Sequence, residues 1–291
     1  MPTDPVQLSL AIFEITLLFA GAGLLVWLVS GPRQRQRWLH TSALPHWPVT
    51  FAEFLLFLLL VVTGGFMGQT LAHSAFGQQI AQSPDQAGLQ VFVYGAGFHG
   101  GILAGCVLFP LFRRRLYSTY GSEPDVISRF AGKSTLSDTL RHASGTLLVA
   151  LPVLTVISLG WTELLRAGGM PDEPQDLIAR FAESKSSWVI VGMLFVACVL
   201  APISEELLFR AGLYRFVRQK LGRTPALLIS SLCFGAVHGN WAGSLPLAVL
   251  GMILAIVYEA TGSVRVVVVA HGLFNLNTIL IVLSGLPEAG S

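Results

Sequence analysis

Long apolar runs separated by short polar segments form the dominant pattern along this chain. Eight runs can be traced, at residues 8–30, 50–71, 89–112, 144–165, 187–209, 225–239, 245–261 and 264–283. A helix needs about 20 apolar residues to cross a bilayer, and neither strand-like alternation nor a heptad repeat accompanies the runs. The pattern therefore predicts an all-α, polytopic membrane protein with about eight transmembrane helices.

The composition agrees with lipid as the solvent for much of the surface. Of the 291 residues, 53% are hydrophobic and 12% are charged, whereas soluble proteins carry about 25% charged residues. The formal net charge of +2 gives no indication of a nucleic-acid partner. Cys106, Cys198 and Cys233 all lie inside apolar runs without CxxC spacing, so we interpret them as small buried hydrophobic residues.

Lysine and arginine are distributed unevenly between the two ends of the predicted helices. Basic segments follow the first, third and fifth runs, at residues 33–48, 113–142 and 215–223. The positive-inside rule predicts that these segments face the cytoplasm and that both chain termini lie outside. The first run lacks a basic leader and is flanked or interrupted by Asp4 and Glu14, so we interpret it as a retained span.

Glycine recurs every four residues in the third run, at Gly97, Gly101 and Gly105. Small residues at this spacing let membrane helices approach closely, which predicts a packing role. His99 stands beside these glycines, and we interpret it as an imidazole that is hydrogen-bonded to a neighbouring helix rather than as a chemical group.

A pair of adjacent carboxylates ends the fifth run. Glu205 and Glu206 are followed by Arg210, and the four-residue offset places Glu206 and Arg210 on one helix face, where they can pair. Glu205 then points about 100° away. Ionisable groups at membrane depth cost about 2.5–3.5 kcal/mol each on insertion scales, so this doublet is a candidate functional site.

Two further pairs at a spacing of four follow along the chain. Phe234 and His238 lie late in the sixth run, and His271 and Asn275 lie near the start of the eighth. Each pair stacks on one helix face, so a carboxylate, two imidazoles and an amide from three helices can converge in one polar pocket.

Such a pocket is suited to hydrolysis by activated water, most plausibly of an amide. A carboxylate can take a proton from water, and a histidine or an asparagine amide can donate to a developing oxyanion. Two alternatives stay open. Glu205, His238 and His271 form a ligand set that zinc could use, although we favour a site without a cofactor, and the same residues could be salt bridges and hydrogen bonds between packed spans.

The ordered motifs EExxxR, FxxxH and HxxxN resemble those of the CPBP family, the CAAX proteases and bacteriocin-processing (Abi-type) enzymes that include the type II CAAX prenyl endopeptidase. The resemblance covers roughly residues 187–283. HExxH, GxSG and GxGD, the motifs of other intramembrane proteases, are absent from the sequence. We expect N-terminal transmembrane helices without a recognised motif over residues 1–140 and a CPBP-type catalytic core over residues 141–291.

The resemblance implies a glutamate-type intramembrane endopeptidase with an all-helical fold. Glu205 matches the water-activating carboxylate, Glu206 its partner, and Arg210 the residue that fixes the helix by pairing. His238 matches the second-motif histidine, which helps to activate water or to stabilise the oxyanion.

In the third motif the resemblance gives His271 a place in the same site and gives Asn275 an oxyanion-hole role, while Phe234 packs beneath the second-motif histidine. The expected partners are a membrane-associated protein or peptide substrate and the lipid bilayer. Short loops and the lack of a eukaryotic targeting signal favour the inner membrane of a bacterium. The alternative function is that of a non-catalytic membrane immunity or partner protein of the same family. A transporter is disfavoured because no internal repeat is found.

Overall fold

The computed structural model describes residues 5–40, 42–44, 46–116, 134–172, 181, 183–184 and 186–284. These parts of the chain contain nine helices and no strand. The helices are α1 (Pro5–Ser30), α2 (Pro32–His40), α3 (Phe51–Ala81), α4 (86–116), α5 (Leu136–Ala167), α6 (Ser187–Leu221), α7 (Arg223–Ala236), α8 (Trp241–Thr261) and α9 (Val264–Leu283). The predicted domain boundary after residue 140 falls within the first turns of α5.

Seven helices in the described part of the chain are long and apolar enough to cross a membrane, namely α1, α3, α4, α5, α6, α8 and α9. The prediction of an all-α, polytopic membrane protein is therefore confirmed. The sixth expected span, at residues 225–239, is instead the 14-residue helix α7. At 1.5 Å per residue α7 is about 21 Å long, which is short of the roughly 30 Å of a bilayer core. Much of the expected basic segment at 113–142 lies outside the described residues.

Glu53, a charged residue in the second apolar run, is used to join α3 to α4. Its backbone N–H donates to the Thr50 hydroxyl (3.3 Å), and its carboxylate accepts from the Thr50 backbone N–H (2.7 Å), which completes a capping box at the start of α3. The same carboxylate accepts from Arg113 Nε at the end of α4 (2.8 Å), and Arg113 also donates to the Pro48 carbonyl (2.8 Å). This buried charge is therefore compensated by a cap and an ion pair.

A second buried carboxylate, that of Glu259, ties α6, α7 and α8 together at what we call the basic end of the bundle. It accepts from the Tyr214 hydroxyl, from Arg218 Nε (2.8 Å) and from Arg223 Nε (2.9 Å). The Glu259 carbonyl also accepts from the Ala43 N–H (2.8 Å), which brings the segment after α2 to the same end.

The opposite end of the bundle holds the start of α1 and the end of α9. The Gln7 amide there donates to the carbonyl of Ser284 at 2.9 Å. The first turns of α1 and the last turn of α9 therefore lie on the side away from the basic end. This agrees with the topology that the arginine distribution predicts. Along its 26 residues α1 buries only Gly21, which lies against α5.

The glycines of α4 pack directly against the backbone of α3, so their predicted packing role is confirmed. A Cβ atom added to Gly101 would overlap the Gly64 carbonyl oxygen, and one added to Gly105 would overlap the Leu60 carbonyl oxygen. A Cβ at Gly97 would meet the carbonyl of Gly68 in the same way. This close approach brings α4, and with it His99, near the centre of the bundle.

We predict that Gly101→Ala destabilises the protein by about 1–3 kcal/mol, the usual cost of overpacking. Gly100→Ala is the matched control, because the adjacent position has nothing within 4 Å of an added Cβ. The control is expected to leave stability unchanged or to raise it slightly, since alanine is the better helix former. Thermal unfolding of both variants in detergent micelles checks this prediction, and equal melting temperatures would contradict it.

Candidate active site

The site is built on a short α-helical stretch of α6 that lies between two wider turns. Residues Ala201–Glu206 are α-helical, while Val196–Leu200 before them and Leu207–Tyr214 after them are π-helical. Such π segments occur frequently at functional sites. Ser204, Glu205 and Glu206 end the α-helical stretch and point about 100° apart, so each of them meets a different part of the bundle.

Glu206 is the fully buried anchor of this region. One carboxylate oxygen lies 3.1 Å from Arg210 Nε, and both side chains have 0% exposure, so the predicted pairing is present. The other oxygen lies 2.9 Å from His271 Nδ1 on α9. Because an ionised carboxylate can only accept, Nδ1 of His271 carries the proton.

Arg210 extends the anchor to two more helices. Its guanidinium donates to the Gly251 carbonyl on α8 at 3.1 Å, and it lies 4.4 Å from the centre of the Phe234 ring on α7. Four helices therefore meet at one ion pair.

Glu205 is the less buried carboxylate, with 18% of its side chain exposed. Its Oε2 lies 3.9 Å from His271 Nε2, which is too long for a direct hydrogen bond. Among the described residues this oxygen has no hydrogen-bond partner. A water molecule could bridge such a gap, so Glu205 and His271 together form a place where water can be held between a carboxylate and an imidazole.

His238 lies in the turn that follows α7, and its position is fixed by Phe234. Its Nδ1 lies 2.7 Å from the Phe234 carbonyl, which can only accept, so Nδ1 donates. The Phe234 ring is 5.1 Å from the His238 ring and 5.6 Å from the His271 ring. The expected packing of Phe234 beneath His238 is therefore present, and the same ring also contacts His271.

Asn275 lies one turn beyond His271 on α9. Its amide nitrogen donates to the Ala197 carbonyl at 2.8 Å, within the first π-helical turn of α6. One N–H of the Asn275 amide thus joins α9 to α6. The second N–H of the same amide can donate to an oxyanion.

His99 joins this group from α4, and sequence reasoning interpreted it only as an imidazole that is hydrogen-bonded to a neighbour. Its Nδ1 lies 2.7 Å from the hydroxyl of Ser204, the residue directly before Glu205. Glu205, His238 and His271 are the titratable side chains near enough to this imidazole to interact with it electrostatically. The only sequence signal was a single histidine inside a glycine-rich span, which is a weak indication of a site.

The residues that zinc could use do not gather into a ligand group. Within the described ranges no three His, Cys, Asp or Glu side chains are grouped closely enough to hold a metal ion. A site without a cofactor stays a prediction, and the roles proposed for these residues rest on the side chains alone.

Comparison with known proteins agrees with these motifs. Residues 187–277 match the family model described as type II CAAX prenyl endopeptidase Rce1-like. A relative in Bacillus subtilis (strain 168), named "Putative membrane peptidase YdiL", is 32% identical over 83 residues, which is 28% of this chain and 34% of that protein. The match thus spans about a third of the relative's length, and no solved structure matches the chain.

The fold and the site together define a polytopic α-helical membrane protein with a buried carboxylate–imidazole cluster. The segment that matches the family model contains all three motifs, from Glu205 to Asn275. The resemblance to the CPBP family that those motifs predict is confirmed for this segment.

We predict that Glu206→Gln and Glu205→Gln differ sharply in their effect on stability. Glu206→Gln leaves the buried Arg210 charge without its carboxylate, and breaking a buried ion pair in this way costs about 3–5 kcal/mol. Glu205→Gln removes no buried pair and is expected to cost less than about 1 kcal/mol, as substitutions away from such features usually do. Unfolding in detergent micelles measures both variants, and equal losses would show that Glu206 is not the anchor.

Proposed function

We propose that the chain is an intramembrane endopeptidase that hydrolyses a peptide bond in a membrane-associated protein or peptide, with a water molecule activated by Glu205. The observation that carries this proposal is the 3.9 Å separation of Glu205 Oε2 from His271 Nε2. Glu206 holds the other nitrogen of this imidazole, so Nε2 of a neutral His271 is an acceptor that faces Glu205. The matched family model and the name of the bacterial relative support a peptidase.

In the first step Glu205 and His271 hold one water molecule between them. Glu205 takes a proton from this water as the water oxygen attacks the carbonyl carbon of the scissile peptide bond. The geometry favours Glu205 over Glu206 as the base, because Glu206 is already engaged by Arg210 and His271.

The second requirement is a donor for the oxyanion. One candidate is the second N–H of the Asn275 amide, whose first N–H is donated to the Ala197 carbonyl. The other is Nε2–H of a doubly protonated His238, whose Nδ1–H is donated to the Phe234 carbonyl. Preorganised donors of this kind are typically worth about 2.7–4 kcal/mol in acyl transfer. When the C–N bond breaks, Glu205 returns its proton to the leaving nitrogen.

The depth of the site indicates the substrate class. His271 is seven residues beyond Val264, and Glu206 is nine residues before Arg215. Both are therefore about 10–14 Å from the basic end at 1.5 Å per residue. A segment of the substrate must enter the bilayer region to reach this depth. We propose that the protein resides in a bacterial inner membrane, with the basic end in the cytoplasm, and that it works without a cofactor.

A second function, that of a non-catalytic membrane partner or immunity protein, is favoured by the bonds that tie the motif residues to the scaffold. Asn275 joins α9 to α6, and Glu206 joins α6 to α9. In this case the cluster stabilises the fold, and Glu205→Gln would leave the protein's phenotype intact.

We predict that Glu205→Gln abolishes proteolysis, with a loss of at least about 100-fold, because the amide cannot accept the water proton. The substrate need not be known in advance. New protein N-termini can be compared by mass spectrometry in membranes of bacteria that express the wild-type chain, Glu205→Gln or an off-site control at equal protein levels.

The control is Glu163→Gln on α5, whose carboxylate is 74% exposed and pairs with Arg166 far along the chain from the motifs. N-termini that appear with the wild type and the control but not with Glu205→Gln support the proposal. Identical N-termini in all three membranes would refute it and leave the partner-protein function.

A further inference from the structure

His99 reaches the site from α4, a helix that carries none of the three motifs. The titratable side chains near enough to interact with it electrostatically are Glu205, His238 and His271, which come from α6, the turn after α7, and α9. Its Nδ1 contacts Ser204, which is fully buried. The imidazole therefore belongs to the cluster rather than to the lipid-facing surface of α4.

The contacts of Ser204 determine which nitrogen of His99 carries the proton. The Ser204 hydroxyl lies 3.0 Å from the Ala201 carbonyl, and a carbonyl can only accept, so the single hydroxyl proton is donated there. The 2.7 Å contact to His99 must then be a bond from Nδ1–H to the hydroxyl oxygen. A neutral His99 consequently has an unprotonated Nε2 that is free to accept.

The other two imidazoles also carry a proton on Nδ1, because each Nδ1 faces a group that can only accept. Nδ1 of His238 donates to the Phe234 carbonyl, and Nδ1 of His271 donates to Glu206. All three histidines, held by three different acceptors, thus keep Nε2 as the atom available for chemistry. In the proposed function His271 holds the water and His238 is a candidate oxyanion donor. His99 is the one of these three imidazoles without a role.

Peptide hydrolysis near neutral pH must move two protons, not one. The reaction converts an amide and water into a carboxylate and an ammonium group, so both water protons finish on the leaving nitrogen. Glu205 can hold one of these protons at a time, and the second is released when the hydroxyl of the tetrahedral intermediate ionises. A second acceptor close to Glu205 is therefore useful.

We propose, resting on the function proposed above, that His99 is a further catalytic residue whose Nε2 accepts this second proton. As the C–N bond breaks, Glu205 gives its proton to the nitrogen, and His99 Nε2 takes the proton from the hydroxyl that becomes part of the product carboxylate. His99 then passes that proton to the amine, which leaves as ammonium, and both groups return to their starting states. Ser204 is the positioning residue, because it keeps Nδ1 protonated and Nε2 free.

His99→Asn tests this role with little disturbance of packing. The asparagine amide can reach the position of Nδ1 and still donate to Ser204, but it places no proton acceptor at the position of Nε2. His73→Asn is the matched control, since that histidine also lies in a membrane helix and packs against an aromatic ring, that of Tyr94 at 5.4 Å, but on α3 and outside the cluster.

Activity is measured on a quenched-fluorescence peptide that spans a bond whose cleavage depends on Glu205. His99→Asn is expected to lower kcat about 100-fold, to leave KM within about twofold and to remove one limb of the pH–rate profile, while His73→Asn changes none of these. A purely structural role predicts that His99→Asn, with its restored bond to Ser204, keeps a wild-type kcat and pH profile, and that result would overturn the inference.

A second measurement needs no substrate. Nitrogen-15 NMR of histidine-labelled protein, with the His99 signal assigned by its loss in His99→Asn, reports which ring nitrogen carries the proton. The inference requires protonated Nδ1 and bare Nε2 in the wild type, and a mixture of the two tautomers in Ser204→Ala. A wild-type His99 that is protonated at Nε2 alone would overturn it.

These results separate the two proposals. If Glu205→Gln is inactive and His99→Asn is fully active, only the inference about His99 fails. If Glu205→Gln retains cleavage, the proposed function itself fails. Should His99→Asn lower the melting temperature, Ser204→Ala provides the kinetic test, with an expected loss in kcat of about tenfold and an unchanged KM.

Discussion

The ion pair between Glu206 and Arg210 is the constraint around which the C-terminal half of the protein is arranged. Both charges have no exposure, and an uncompensated charge in such surroundings is costly. Three further helices contact the pair, through His271 on α9, the Gly251 carbonyl on α8 and the Phe234 ring on α7. Helices α6, α7 and α8 are joined a second time at the basic end, where Glu259 accepts from Tyr214, Arg218 and Arg223.

This arrangement separates two tasks that the sequence places on adjacent residues. Both carboxylate oxygens of Glu206 are engaged by Arg210 and His271. Glu205 points about 100° away, and its Oε2 has no hydrogen-bond donor among the described residues. Ser204, one position earlier, meets α4 through His99. Under the proposed function, these three consecutive side chains serve as an anchor, a base and a positioning group. The anchor matters to the chemistry since it fixes the tautomer and the direction of His271.

Spacing along the sequence was enough to predict the membrane class, the pairing of Glu206 with Arg210 and the stacking of Phe234 under His238, because each depends on the geometry of a single helix. Contacts between helices were not available from spacing. His99 meets Ser204 from α4, the helix whose glycines pack closely against α3. The Asn275 amide bonds to Ala197 within a π-helical turn, which the pattern of apolar residues does not indicate. The run at 225–239 was counted as a span although its 15 residues are fewer than the roughly 20 needed to cross a bilayer, and α7, with 14 residues, has nearly that length.

Burial of charge does not by itself distinguish a working site from a structural one, and this chain contains both kinds. Glu259 at the basic end is nearly fully buried, yet its carboxylate is satisfied by Tyr214, Arg218 and Arg223. Three of the roughly four lone-pair positions of this carboxylate are occupied by donors, and two of those donors are cationic, so it is a poor acceptor for a water proton. Glu205 is more exposed, but its Oε2 has no hydrogen-bond partner among the described residues and faces an imidazole across a gap that water can bridge. The incomplete set of partners, rather than the depth of burial, is what makes Glu205 the better candidate for chemistry.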